Sequence, residues 1–327
     1  MLRAICFSKD RPLQLEAFIE SLMHYAGLKA GDISVLYTSS RGISYDRLIA
    51  RHPDVDWVRE TAFQRDLKST VEKAKGYVLL GCDDVVFKDY FDLNTPIRTL
   101  HRDPLVFGFS LRLGTNIRFV PDVEESGDLL LWDWRQARNE YWRYPWEVSA
   151  SVYRAEFVRE YLESRDDLTN PNRFEAYLAR DVAADPGIVP PKLACLPTSR
   201  CVTVTMNRVQ DEFPNDFDDS AETDPKELFE NYQSDLHYDW PKLFRWNNKS
   251  VHTGSEAFHL ARTVTPPEKS YAAGGLAPAA APRNVLLLRA RILYWRVMIA
   301  VWERARRHLP ESVLKAVRRV ANRRSAP

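Results

Sequence analysis

Several things that would assign this sequence quickly are scarce or missing. Its 327 residues hold four cysteines, Cys6, Cys82, Cys195 and Cys201, and their spacing is not that of a metal finger. Cys195 and Cys201 could pair, but nothing demands it. The N-terminus runs directly into Leu2-Arg3-Ala4-Ile5-Cys6-Phe7 with no signal-peptide pattern, so a reducing cytosol is the default expectation. A glycine-rich basic loop after the first strand, the usual opening of a nucleotidyltransferase, is absent: that place reads Ser8-Lys9-Asp10-Arg11-Pro12. No uninterrupted apolar run reaches bilayer length, because Arg289, Arg291 and Arg296 interrupt the best one. There is no internal repeat. Net charge is also nearly missing, at +1, but its distribution is uneven. Residues 283–327 hold 12 Lys/Arg against 2 Asp/Glu, an excess of +10. The rest of the chain therefore carries about −9 by subtraction, and an acidic body argues against a general nucleic-acid binder.

What is present describes a folded α/β protein. Hydrophobic residues at 45% and aromatics at 12% are enough for a sizeable core. Residues 2–8 read as a strand. Pro12 suits a helix N-terminus, and Leu15, Phe18, Ile19 and Leu22 follow at helical spacing. Strands are expected over 33–37, 54–59 and 77–81, with a helix over 63–75 carrying Phe63, Leu67 and Val71. This alternation predicts a largely parallel, doubly wound sheet with ligands at the carboxyl ends of its strands. That rule places Ser8-Lys9-Asp10-Arg11, Thr38-Ser39-Ser40-Arg41 and Asp83-Asp84 on one rim.

The acidic pair closes the buried run Tyr77–Gly81. Carboxylates there are expensive to desolvate unless compensated, and a Mn²⁺ or Mg²⁺ ion carrying a phosphate is one compensation. A turn in which Asp-Asp merely caps the next segment is the other reading. Further along, strands are expected over 105–111 and 148–153, a helix over 173–184, and a solvated acidic loop over 209–227. Trp132, Trp134, Trp142 and Trp146 crowd one short stretch; aromatic faces stack on sugars but also fill cores. Residues 264–282, rich in Pro, Ala and Gly, read as a linker. Residues 283–327 read as a basic amphipathic helical tail suited to an anionic membrane surface, or to packing on a protein.

Four segments, in order, resemble a bacterial branch of the nucleotide-sugar-dependent glycosyltransferases with the A-type fold (family-2-like). They are Phe7-Ser8-Lys9-Asp10-Arg11-Pro12-Leu13-Gln14-Leu15, Tyr144–Arg154, Asn170-Pro171-Asn172-Arg173-Phe174-Glu175 and Met206-Asn207-Arg208-Val209-Gln210. The resemblance spans roughly residues 3–260. It implies a Rossmann-like fold with a mostly parallel central sheet flanked by helices. A catalytic domain would cover 1–263, with a nucleotide-sugar-binding half over 1–111 and an acceptor half over 112–263.

The resemblance also implies roles. Ser8, Lys9, Arg11, Ser39, Asp66 and Asp83 would contact the nucleotide sugar, with Lys9 and Arg11 facing the diphosphate. Asp84, and Asp83 directly or through water, would hold Mn²⁺ or Mg²⁺. Glu175 would be the catalytic base, and Trp142, Trp146, Asn172, Asn207 and Arg208 would line the acceptor side. The chain departs from the pattern twice. Cys82 stands where the Asp-any-Asp signature has its first acid, and Ser149-Ala150-Ser151 replaces an Asp-Gly-His; His237, His252 or His259 could supply a substitute ligand. The function implied is transfer of a sugar to a glycan or lipid-linked acceptor by a cytoplasmic enzyme held at the inner membrane face, as in cell-surface polysaccharide biosynthesis. A nucleotidyltransferase and a catalytically degenerate membrane-associated partner are the competing readings.

Overall fold

Strand β1 (Leu2–Lys9) is buried on both faces, so its side chains sort by parity. Ala4 and Cys6 enter one core layer, Ile5 and Phe7 the other. A strand of this kind belongs in the middle of a covered sheet, and β1 lies there. These observations come from a computed structural model that describes residues 2–209 and 223–268, all within a unit running from Met1 to Glu268. The linker and tail readings fall outside the described residues from 269 onward, as do 210–222 of the acidic loop.

The other strands of the described unit are β2 (Ile33–Thr38), β3 (Asp56–Arg59), β4 (Tyr77–Cys82), β5 (Val85–Phe87), β6 (Val106–Ser110), β7 (Glu124–Glu125), β8 (Leu130–Asp133), β9 (Ser151–Arg154), β10 (Lys192–Cys195), β11 (Cys201–Val204), β12 (His237–Tyr238), β13 (His252–Thr253) and β14 (Leu260–Ala261). Nine of them form one sheet in the order β3-β2-β1-β4-β9-β6-β10-β8-β7, within which only β9 and β8 run against the others. Residues before and after 111 share this sheet, since β9 lies between β4 and β6. A small sheet, β13-β11-β5, continues from the end of β4.

Helices α1 (Pro12–Ala26), α2 (Asp46–Arg51), α3 (Phe63–Glu72), α4 (Asn94–Arg102), α5 (Glu140–Arg143), α6 (Ala155–Glu163), α7 (Pro171–Ala184) and α8 (Pro225–Gln233) flank the sheets. One core layer holds Leu15, Phe18 and Leu22 of α1, the other Leu67 of α3, Val158 of α6 and Leu178 of α7. The architecture is thus the α/β, Rossmann-like arrangement expected, with a mostly parallel central sheet. Gly81 marks how tightly α1 lies on it: a Cβ there would be 2.6 Å from Cε2 of Phe18, closer than packed carbons approach. Two expectations need correcting. The loop over 209–227 ends early, because Asp224 caps α8, accepting from Lys226 N, and Pro225 begins it. The strand expected over 148–153 starts only at Ser151, because Ala150 has φ 73° and breaks the extended run. All four cysteines are free thiols.

Away from the rim, α1 is tied to α2, α8 and β12 through a buried carboxylate. Glu16 accepts from the Tyr232 hydroxyl at 3.1 Å, pairs with Arg51 at 2.9 Å and bonds Nδ1 of His237. Removing it strands several polar groups at once. Glu16→Ala is expected to lower stability by about 3 kcal/mol, read as a fall in the urea midpoint at unchanged m; a loss under about 0.5 kcal/mol, the size of an ordinary surface substitution, would contradict the network's importance.

Candidate functional site

The site is built from chain ends of the parallel strands. After β1 the backbone turns through Asp10, a non-glycine residue at φ 56°. That strain is held by Ser40, whose N–H and hydroxyl both donate to the Asp10 carboxylate at 2.5 Å. Arg11 then precedes Pro12 at the start of α1. Its backbone N–H donates to the Tyr45 hydroxyl at 3.1 Å, and that hydroxyl also bonds Ser8 Oγ at 2.7 Å. The loops after β1 and β2 are therefore one rigid structure.

Arg11 turns its guanidinium onto the end of β4. Nη1 lies 3.0 Å from Asp83 Oδ1 and 3.3 Å from Asp84 Oδ2. Nε donates to Asn207 Oδ1 at 2.7 Å, Nη2 donates to the Asn207 carbonyl, and Asn207 Nδ2 donates to the Thr223 carbonyl at 2.6 Å. Asp83 is wholly committed, since its Oδ2 accepts from Ser8 Oγ at 2.8 Å and from Lys9 N at 3.2 Å. Burial pushes the Asp83 carboxyl up, to about 6, against the pull of Arg11. Burial works against the Arg11 charge, and the two aspartates outweigh it, raising its pKa.

A second charged cluster lies beside the first. Cys82 donates its thiol to the Val148 carbonyl at 3.4 Å, with Ser149 Oγ 4.0 Å from the sulfur. Glu175, half-buried in the first turns of α7, feels the charge of Arg112 and the dipoles of the Tyr144 hydroxyl and the Val148 N–H. Arg112 follows β6 directly, pairs with Glu147 and reaches Thr203 Oγ1 at 3.4 Å. Glu147 accepts from Ser151 Oγ as well. A pocket between these elements is lined by Ser110, Arg112, Tyr141, Tyr144, Glu147 and Ser151. Burial pushes Glu175 up to about 6; Arg112, Tyr144 and the Val148 N–H hold it from going further.

The expected residues thus divide. Ser8, Arg11, Asp83, Asp84 and Asn207 meet in one network, and Glu175 stands near Cys82 at its edge. Lys9 leaves its side chain exposed on the rim, facing Glu60. Asn207, expected toward an acceptor, is instead taken by Arg11. Asp66, expected on the nucleotide, is spent locally: it accepts from Thr61 N at 2.7 Å, Ala62 N at 2.8 Å and Arg65 Nε at 2.9 Å. Burial raises it, but those donors win and hold it down at about 2. Trp142 and Trp146 cannot stack on a glycan as they stand, because both are fully buried, Trp142 packed edge-on against Trp132 at 5.0 Å. Ser39 is half-buried beside the engaged Ser40, Asn172 lies in the first turn of α7, and Arg208 is exposed.

Arg112, Tyr144, Glu147, Tyr45 and the Asp10–Ser40 pair were not anticipated. For Arg112 a signal existed, since it follows a buried strand just as Asp83 does. Of the histidines, His237 is bound by Glu16 and the His252 ring stands 5.8 Å from that of Tyr141. The segment Ser149-Ala150-Ser151 retains a glycine-like turn at Ala150 without the histidine.

The acid pair suits a cation in one limited way. Among the described residues, Asp84 Oδ1 carries no hydrogen bond, and it is the single uncommitted carboxylate oxygen of the pair. One carboxylate oxygen fits a Mg²⁺- or Mn²⁺-type ion that draws its remaining ligands from a diphosphate and water. The Cys82 thiol is no ligand as it stands, since burial and the neighbouring carboxylates push it well above the usual thiol range. Glu16, Glu20 and His52 form another group of ligand atoms, but Arg51 already supplies positive charge there.

No protein-family model matches the chain. It is similar to the bifunctional glycosyltransferase pgtA of Dictyostelium discoideum, with 29% identity over 303 residues. The match covers 77% of this chain and spans 38% of the length of that relative. Among solved structures it overlaps S. aureus TarS at a TM-score of 0.39, with 10% identity over 61% of this chain and 36% of that one. It overlaps the mannosyltransferase PcManGT of Pyrobaculum calidifontis, determined with GDP-Man and Mn²⁺, at 0.32, with 14% identity over 53% of this chain and 50% of that one. A cytidylyltransferase from Leptospira borgpetersenii gives 0.38, at 11% identity over 58% of this chain and 73% of that one.

The Arg11 network yields a direct test. Arg11→Ala leaves buried carboxylates without their cation and is expected to lower stability by about 3–5 kcal/mol, whereas Lys9→Ala should stay within about 0.5. In urea unfolding, Arg11→Ala combined with Asp83→Ala should lose clearly less than the two single losses added; strict additivity would mean that the two side chains are not coupled.

Proposed function

We propose that this chain is a glycosyltransferase that moves a sugar from a nucleotide-sugar donor to a hydroxyl of a glycan or lipid-linked acceptor. The observation carrying the reading is a cation-bridged acid pair at the carboxyl ends of β1 and β4, with the half-buried Glu175 carboxylate of α7 close enough to Cys82 to share its field. The similarity to a glycosyltransferase over 77% of the chain supports the same class.

In this reading the donor's diphosphate lies over the ends of β1 and β4, where ligands of open α/β sheets gather. Asp84 Oδ1 would hold Mg²⁺ or Mn²⁺ shared with the diphosphate, and the ion would offset the negative charge that grows on the leaving group. Asp83 does not contact the donor; it fixes Ser8, the Lys9 backbone and Arg11. Lys9, exposed at the rim, is the side chain free to reach a phosphate as a point charge. Arg11 contributes its positive charge from beneath. Glu175 removes the proton of the acceptor hydroxyl as that oxygen attacks the anomeric carbon, a single-base displacement. The acceptor would enter from the side of Tyr141, Tyr144 and the Asn172 turn. Residues 1–111 supply most of the donor surface, and residues 112–263 supply Glu175 and Arg112. Residues 283–327, basic and carrying Tyr294, Trp295 and Trp302, would hold the enzyme at an anionic membrane surface.

Four measurements test this. Titration calorimetry with a panel of nucleotide sugars and nucleoside diphosphates should find at least one ligand bound more tightly with Mn²⁺, and Asp84→Asn should remove the Mn²⁺ dependence; no binding to any donor would sink the reading. Glu175→Gln should bind donor normally yet lose at least about 10²-fold in transfer rate, the usual worth of a general base. Because the base works deprotonated, kcat/KM should fall about tenfold per pH unit below roughly 6 and level off above it. Deleting 283–327 should abolish sedimentation with anionic liposomes, and unchanged sedimentation would reject the tail's role.

A further inference from the structure

Three large hydrophobic side chains stand exposed among the described residues, and two of them are neighbours, Phe119 at 73% and Val120 at 38%. Phe119 also has φ 62°, in the left-handed region that glycine enters freely and a bulky residue rarely does. A strained backbone that holds an aromatic ring out in water is the reverse of what stability favours, and such an outlier points to use.

The segment around it is firmly built. Gly114 passes so close to the chain before β11 that a Cβ there would be 2.5 Å from Ser199 N. Asn116 donates to Ser199 Oγ and to the Asn248 carbonyl, each at 2.9 Å, and accepts from Ser199 N at 2.9 Å. Arg118 N donates to the Lys249 carbonyl at 3.1 Å, and the Arg118 carbonyl accepts from Nε1 of the buried Trp142 at 3.1 Å. On the far side Val123 packs on the core, and β7 pairs with β8. Phe119 and Val120 are therefore the tip of a short span fixed at both ends.

The same fixings bring cations to the tip. Arg118 adjoins it, Lys249 is bonded to Arg118 through the backbone, and Arg143 follows Trp142 in α5. Arg118, Arg143 and the nearby Arg138 are exposed, and among the described residues none of them pairs with a carboxylate. Asp122 and Glu140 are the acids on these segments. Glu125 and Asp128 lie beyond, in the β7–β8 hairpin, and Glu124 is paired with Lys192 at 3.0 Å.

We propose that Phe119 and Val120 insert into an anionic phospholipid surface, with Arg118, Arg143 and Lys249 meeting its headgroups. An aromatic and an aliphatic side chain fringed by cations is the composition that settles at such an interface. A protein partner would need a matched patch of about 800 Å² on each side; a tip two residues wide suits a fluid surface that closes around it. Two side chains are too little apolar surface to recruit the chain by themselves, so the tip orients a protein held at the surface by other means. Because Trp142 ties the tip to α5, insertion turns the side of Tyr141 and Tyr144 toward the lipid, where a lipid-linked acceptor would lie. That last consequence alone rests on the function proposed above.

The test places the full chain, with a C-terminal hexahistidine tag, on vesicles containing nickel-chelating lipid, so that recruitment depends neither on residues 283–327 nor on the tip. A nitrobenzoxadiazole dye is attached at Phe119→Cys in a Cys82→Ser background, the other three thiols being buried. On vesicles of phosphatidylglycerol and phosphatidylcholine in equal parts, its emission should move to the blue and be quenched by brominated acyl chains. On phosphatidylcholine alone the response should be much smaller, and Arg118→Glu with Arg143→Glu should halve the blue shift on the mixed vesicles or reduce it further. The same dye at Lys29→Cys, exposed ahead of β2 at the amino ends of the strands, should not respond. Phe119→Gly should leave the urea midpoint unchanged or higher, since glycine relieves the left-handed residue; a lowered midpoint would assign Phe119 to folding and count against the proposal. A dye at 119 that responds no more than one at 29, or equally on both lipids, would overturn it. Failure of the transferase reading looks different: no nucleotide sugar would bind in calorimetry, while the dye at 119 still entered the anionic surface.

Discussion

The rim of this protein depends on one interaction, the burial of the Arg11 guanidinium between Asp83 and Asp84. Two adjacent carboxylates at the end of a fully covered strand are not tolerable on their own. Arg11 makes them so, and in doing so fixes the geometry of everything around it. Its Nη1 bridges the carboxylates, its other nitrogens hold Asn207, and Asn207 holds Thr223. Ser8 and the Lys9 N–H complete Asp83 from below, so the exit of β1, the exit of β4 and the chain after β11 converge on one cation. Buried ion pairs seldom add net stability over an apolar replacement, but they are unforgiving about geometry. That geometric demand holds the rim in one arrangement.

Much of the sheet could be read before its structure was known, for a physical reason. β1, β2 and β4 are covered on both faces, so each appears as an apolar run, and the helices between them bury one stripe at helical spacing. Strands alternating with helices made a largely parallel, doubly wound sheet legible, but not its order β3-β2-β1-β4, in which β4 lies beside β1. What followed could not be read the same way. β9 inserts antiparallel between β4 and β6, after a connection with little periodicity. The short strands β5, β11 and β13 are stabilised by one another, not by local pattern. Composition could not separate a glycan-stacking tryptophan from a core one, and Trp142 and Trp146 proved to be core.

The site was legible to a similar extent. The rule that ligands gather at carboxyl strand ends singled out Ser8, Arg11, Asp83 and Asp84, and the structure brings these four into one network. The rule applied to β6 points equally to Arg112, but the polar, aromatic stretch that follows hides it. The partners that hold other polar residues were not legible. Asp66 looks available in sequence, and only the three-dimensional turn shows that Thr61 and Ala62 have consumed it. Asn207 likewise carries a polar side chain in a plausible place, with nothing to announce that Arg11 lies across from it.

The two charged clusters obey different balances, and the difference gives each its use. Around Arg11, one cation serves two carboxylates, one of them fully bonded, which leaves Asp84 Oδ1 as the point where further positive charge is welcome. Around Arg112, one cation serves Glu147 at contact and Glu175 at longer range. Partial compensation leaves Glu175 near 6, between a permanently charged carboxylate and a permanently protonated one. Cys82 stands on the boundary. An acid there would add negative charge to both clusters at once; the thiol adds none, so the charge of each cluster is set by its own arginine.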